Sequence, residues 1–172
     1  ILLALAFGRP YLQSSLLPEA EEPGQRVLLL VDRSASMQRE GLRAAAIDAA
    51  REAAAQYDEE VELSLALFDE SLHLLAEAPT WSGLSPRARA AEVARLLELP
   101  ESAPGWRGTD LGQALHQAAN HLLSGEESRA IVQREIVLVS DFQSGARRER
   151  LQANPWPEEV QVRCLPLAPE ET

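Results

Sequence analysis

The stretch RVLLLVDRSASMQREG, residues 26–41, decides how this chain is read. Five apolar residues, Val27 to Val31, run straight into Asp32. A short unbroken apolar run is the pattern of a strand covered on both faces of a sheet. Ser34 and Ser36 follow at alternate positions. Asp32, Ser34 and Ser36 are hard oxygen donors, and none of them serves an apolar core. The D-x-S-x-S spacing lets one loop turn three such side chains toward a single point.

The pattern returns near the other end. In EIVLVSDFQSG, residues 135–145, an apolar strand again ends at an aspartate, Asp141. Between the two lies alternating structure. Gly41 to Tyr57 is Ala-rich, and Leu42, Ala45, Ala49, Ala53 and Tyr57 recur at helical spacing. Residues 60–68, EVELSLALF, alternate as a strand with Val61, Leu63, Leu65 and Leu67 on one face. The segment SLHLLAE follows after Asp69 and Glu70, so the pair reads as a hairpin with an antiparallel edge. Ser85 and Pro86 mark a helix start, and that helix stops by Pro100. A loop, PESAPGWRGTD, leads into a helix near 111–123 with Leu111, Ala114, Leu115, Ala118 and Leu122 on one face. A short Arg-rich helix is expected at 146–152 and a last strand at 159–167.

This order predicts an α/β fold: a Rossmann-like, doubly wound, mostly parallel central sheet with one antiparallel edge strand. The domain is expected over 27–168. Residues 1–26 read as a membrane-proximal segment and linker, and 169–172 as a tail. Ile1 to Phe7 is shorter than the roughly 20 apolar residues a membrane span needs. It reads either as the end of a spanning helix or as a short element packed on the domain.

Composition narrows the function. The 172 residues are 45% apolar and 25% charged, which fits a globular domain and not a disordered chain. With 27 acidic and 16 basic residues the net charge is −11, which argues against nucleic acid as a partner. Every basic residue is Arg. The absence of Lys excludes a P-loop. The lone cysteine, Cys164, lies in an alternating apolar segment and reads as a small core residue.

In an open parallel sheet, ligands bind beyond the carboxyl ends of the strands, where strand order reverses. If the strands ending at Asp32 and Asp141 are neighbours, two carboxylates converge there and repel. A divalent cation between them removes the conflict. Thr109, in RGTDLGQAL, adds another oxygen just before a helix. Each residue alone also has a local reading: Asp32 or Ser34 as a cap, Thr109 or Asp110 as an N-cap, Asp141 as a turn residue. Asp32, Ser34, Ser36, Thr109 and Asp141 taken together, in this order, point to Mg²⁺, with Mn²⁺ or Ca²⁺ as alternatives.

DRSAS at 32–36, GTD at 108–110 and SDFQSG at 140–145 resemble the metal-ion-dependent adhesion site of the von Willebrand factor A domain family. The resemblance covers roughly residues 26–168. It implies direct metal contacts from Ser34, Ser36 and, in one state, Thr109, with Asp32 and Asp141 acting largely through water. It also implies that movement of the 105–109 loop switches Thr109 in and out. The remaining coordination position is then filled by an Asp or Glu of a protein partner, which makes the site a binding device and not an enzyme. In addition, LALAFGRPYLQ ahead of LLLVDRSASM is similar to bacterial membrane-anchored relatives of the Bat aerotolerance proteins. That likeness implies a bacterial cell envelope location, periplasmic or extracytoplasmic. The partners it implies are other A-domain proteins of that kind or a MoxR-type AAA+ ATPase system.

Two alternatives stand beside this reading. One is the same fold as a scaffold with no functional metal. The other is Mg²⁺-dependent phosphotransfer of the haloacid dehalogenase or response-regulator type. Both of those classes rely on a Lys, and the phosphatase motif has a second Asp where this chain has Ser34. His73, His116 and His121 lack metal-protease spacing and read as surface or satisfied residues. Trp106, three residues before Thr109, is expected either to contact a partner or to pin its loop to the core. Arg33 is expected to point outward, toward an acidic partner.

Overall fold

A computed structural model of the chain describes residues 24–124, 131–142 and 155–168. The expected segment at 1–7, most of the linker and the expected helix at 146–152 lie outside the described residues. Five strands form one sheet: β1 (Gly24–Asp32), β2 (Glu62–Phe68), β3 (Leu72–Ala76), β4 (Ile131–Ser140) and β5 (Val160–Pro166). Their spatial order is β3-β2-β1-β4-β5. All neighbouring pairs are parallel except β2 with β3. The fold is the doubly wound α/β sheet with an antiparallel edge that the sequence predicts.

β1 lies at the centre, which explains its unbroken apolar run. Val27, Leu29 and Val31 face one layer, and Leu28 and Leu30 face the other. All five are at most 3% exposed. The strand starts at Gly24, ahead of the apolar run, because its polar first residues are also paired. Gly24 and Gln25 lie opposite Ile131 and Gln133. Arg26 binds Glu62 at 2.8 Å and donates to the carbonyl of Leu122 at 3.0 Å.

Three α-helices cover the sheet among the described residues: α1 (Leu42–Ala55), α2 (Pro86–Glu98) and α3 (Leu111–Ser124). α1 and α2 pack together on one face, and α3 covers the other. The small side chains of α1 let it lie close to the sheet and to α2. Its buried stripe is Leu42, Ala46, Ala50, Ala53 and Ala54. The stripe is thus turned by one residue from the expected Ala45 and Ala49, which lie at its half-buried margin. Alanine dominates this helix, so little side-chain bulk marks its buried face in the sequence. Ser85 caps α2 as expected, accepting from the Ala88 amide at 3.3 Å. All five expected core residues of α3 are buried.

One expectation fails on packing. Cys164 is exposed and not a core residue. It sits on the edge strand β5, where Val162, two residues earlier, is exposed as well. Trp81 lies between β3 and α2. It sits in a 3-10 turn, 4% exposed, with Nε1 donating to the Leu63 carbonyl at 2.7 Å.

Candidate metal centre

β1 and β4 run parallel with Val31 opposite Val139. Asp32 and the Ser140–Asp141 pair therefore emerge together at the carboxyl edge. From here the chain departs in opposite directions, from β1 to β2 on one side and from β4 to β5 on the other. This is the switch point where α/β sheets open a crevice.

Asp32 is 4% exposed. Its Oδ1 accepts from the Ser34 amide at 2.8 Å, and its Oδ2 accepts from Ser140 Oγ at 2.6 Å. Burial pushes its carboxyl above the usual range. The hydrogen bonds from Ser140 and Ser34 pull it back, and the charge of Asp141 adds to the upward push. Such a group is stabilised as a carboxylate when a cation is nearby.

Ser34 Oγ and Ser36 Oγ lie 3.1 Å apart, and Ser36 Oγ donates to Asp141 Oδ1 at 3.1 Å. Ser36 has one hydroxyl proton, so Ser34 is the donor between the two serines. The second oxygen of Asp141 is held by Arg39 Nη2 at 2.6 Å. Neighbouring ligands of an Mg²⁺ octahedron with bonds of about 2.1 Å stand about 3.0 Å apart. The spacing of the two hydroxyls fits one such edge, and the set offers oxygen alone, as a hard cation requires. Among the described residues, no three of His, Cys, Asp and Glu cluster as metal ligands. The candidate centre differs from such clusters because hydroxyls supply half of its donors.

The structure brings Asp32, Ser34, Ser36 and Asp141 into one hydrogen-bonded network. Thr109 lies on the adjoining loop, half-buried, and makes no hydrogen bond to those four among the described residues. Backbone bonds fasten its loop to the first. The amides of Ala35 and Gly105 donate to the carbonyls of Arg107 and Arg33, at 3.0 and 2.9 Å. Asp110 is the N-cap of α3, accepting from the Gln113 amide at 2.9 Å. Its own amide donates to the Asp69 carbonyl at 3.0 Å.

Ser140 is a site residue that the sequence reading overlooks. A serine at a strand end is unremarkable by itself, and its one signal is direct adjacency to Asp141. Arg33 departs from expectation. It does not point to a partner but binds buried Asp69 at 3.0 Å and donates to the Glu101 carbonyl at 3.3 Å. Trp106 is 88% exposed, so it does not pin its loop to the core. Two of the histidines make side-chain contacts of their own. His73 bonds Ser71 and Asp69, and His116 makes a tilted ring contact with Trp156, centroids 5.9 Å apart.

The sequence model of the von Willebrand factor type A domain matches residues 27–143. The chain belongs to the von Willebrand factor type A domain family. Domains of this family are typically protein-interaction modules. Solved structures of similar fold include the ArnB paralog VWA2 from Sulfolobus acidocaldarius, at 22% identity and a TM-score of 0.58. That likeness covers 83% of this chain and 34% of the archaeal one. BatB from Bacteroides thetaiotaomicron matches at 15% identity and a TM-score of 0.54, over 83% and 66% of the two chains. An aerotolerance-related membrane protein from Bacteroides fragilis matches at 16% identity and 0.56, over 83% and 67%. The A domain described here thus spans a third to two thirds of these relatives' length. At these identities the likeness is one of fold. No curated protein matches the chain in sequence.

Proposed function

We propose that this A domain is a divalent-cation-dependent protein-interaction module and not an enzyme. The observation that carries the reading is the oxygen-only network of Asp32, Ser34, Ser36 and Asp141 at the switch point. In this reading Ser34 and Ser36 would hold the cation, and Asp32 and Asp141 would balance its charge. Thr109 lies on the loop that would approach or withdraw. When bound, the cation supplies a Lewis-acidic position for a carboxylate of the partner. Mg²⁺ is the favoured ion, with Mn²⁺ or Ca²⁺ as substitutes.

The proposed setting is the bacterial cell envelope, with a membrane anchor near the N-terminus and the domain on the extracytoplasmic side. The fold of an aerotolerance-related membrane protein supports it. Among the described residues no helix is long and apolar enough to cross a membrane. The proposed partners are Bat-like A-domain proteins or components of a MoxR-type AAA+ ATPase system.

The test is a calorimetric Mg²⁺ titration of the wild type beside Asp32→Ala. Saturable one-site binding that disappears in the variant supports the reading. A wild type that binds no Mg²⁺, Mn²⁺ or Ca²⁺ would sink it. A scaffold without functional metal would then replace it, and the Arg39–Asp141 pair is the observation on that side.

A further inference from the structure

Arg39 is a feature of this site that the metal reading leaves unused. It follows the 3-10 turn Ala35–Gln38, and its Nε donates to the Ser36 carbonyl at 3.2 Å. That bond keeps the guanidinium at the mouth of the site. Its Nη2 reaches Asp141 Oδ2 at 2.6 Å, although the Arg39 side chain is 43% exposed and that of Asp141 only 4%. The result is an uneven pair of carboxylates. Asp141 carries a resident cation, whereas Asp32 is held by uncharged donors.

We propose that Arg39 is the specificity-determining residue of the mouth: it is counter-ion to Asp141 before an ion arrives, yields Asp141 to an incoming cation, and then binds a second carboxylate of an acidic-pair ligand. The inference rests on the metal reading and deepens it. The charges argue for it. Asp32 and Asp141 bring −2, a divalent ion +2 and Arg39 +1. Those four groups together carry one excess positive charge, next to an ion that still needs an anionic ligand. Arg39 and the ion repel each other at this range, so the guanidinium leaves Asp141 while staying tethered at Ser36. A planar fork freed from one carboxylate is suited to another. One ligand carboxylate then completes the ion, and a neighbouring one pairs with Arg39.

The test uses Arg39→Gln, which keeps a polar side chain of similar reach and lies outside the set of proposed ligands. Mg²⁺ alone is titrated by calorimetry into the wild type and the variant. The variant is expected to bind the ion roughly threefold or more tightly, because no resident cation competes. Two blocked peptides, Asp-Asp and Asp-Ala, are then titrated in saturating Mg²⁺. The wild type is expected to prefer Asp-Asp by several fold, and the variant to lose that preference. Unchanged or weaker Mg²⁺ binding by the variant overturns the proposal. So does a wild type that shows no preference or binds neither peptide, and so does a preference that survives in the variant. Failure of the metal reading is distinguishable, since the wild type would then not bind Mg²⁺ at all.

Discussion

Ser140 shows what a single hydroxyl does at this site. It donates to Asp32 Oδ2 at 2.6 Å and accepts from the Phe142 amide at 3.1 Å. Ser140→Ala leaves a buried carboxylate oxygen and an amide short of a partner. Denaturant unfolding is expected to show a loss of about 1–3 kcal/mol. Tyr57 offers a second residue-scale prediction. Its hydroxyl donates to Glu135 Oε2 at 2.8 Å and accepts from Arg163 Nη2 at 2.7 Å. Burial and then the Glu135 hydrogen bond push the phenol up to about 12. The folded value lies above the ordinary value of 10, so this group's contribution is complete below pH 10 and is lost as pH rises through about 12. An ultraviolet titration of the native protein against Tyr57→Phe checks it. A phenol signal from Tyr57 completed by pH 10 would contradict the environment described. At this scale the candidate donors were legible because each carboxylate stands where an apolar strand stops. Arg33 was not, because its partner Asp69 is far away in sequence and looks like an ordinary turn residue.

Arginines do much of the work of joining elements. Arg89 on α2 is 1% exposed, and its guanidinium binds the carbonyls of Tyr57, Asp58 and Val61, where α1 gives way to β2. Among the described residues its Nε has no hydrogen-bond partner, and burial lowers its pKa. Arg89→Ala removes the donors that three carbonyls share and opens a cavity. A loss of about 3 kcal/mol in urea unfolding is expected. A loss under 1 kcal/mol would mean that water replaces the guanidinium at little cost. Arg43 makes a similar tie from α1, donating to the carbonyls of Leu97, Glu98 and Leu99 at the end of α2. There it also meets the negative end of the helix dipole. Such ties cannot be read from periodicity, because a helical Arg normally signals the solvated face. Helix α3 was legible in full, since its leucines mark the buried stripe. For α1 the existence of the helix was clear, and its rotation was not.

For the molecule as a whole, alternation of strand and helix was enough to fix the fold, and two strand-end aspartates were enough to place the candidate site. The edges were less legible. β5 is apolar by pattern yet leaves Val162 and Cys164 exposed, because edge position depends on the strand order and not on the strand itself. If the cation binds the folded chain alone, thermal stability must rise with Mg²⁺ concentration. The expected gain is about 2.7 kcal/mol at a hundredfold excess over Kd. Asp32→Ala should show no such gain in differential scanning calorimetry.

The central place of β1 has a consequence in time. Asp32 and Ser140 are 108 residues apart in the chain, yet they share a hydrogen bond. Bringing such distant segments together costs about 4 kcal/mol in loop closure before any contact repays it. Parallel pairing of this kind forms slowly. A growing polypeptide leaving the ribosome can display the D-x-S-x-S loop long before β4 exists to complete the mouth. Under the proposed metal reading, nascent and half-folded chains would be blind to the ion, and only a molecule that has finished folding could meet a partner.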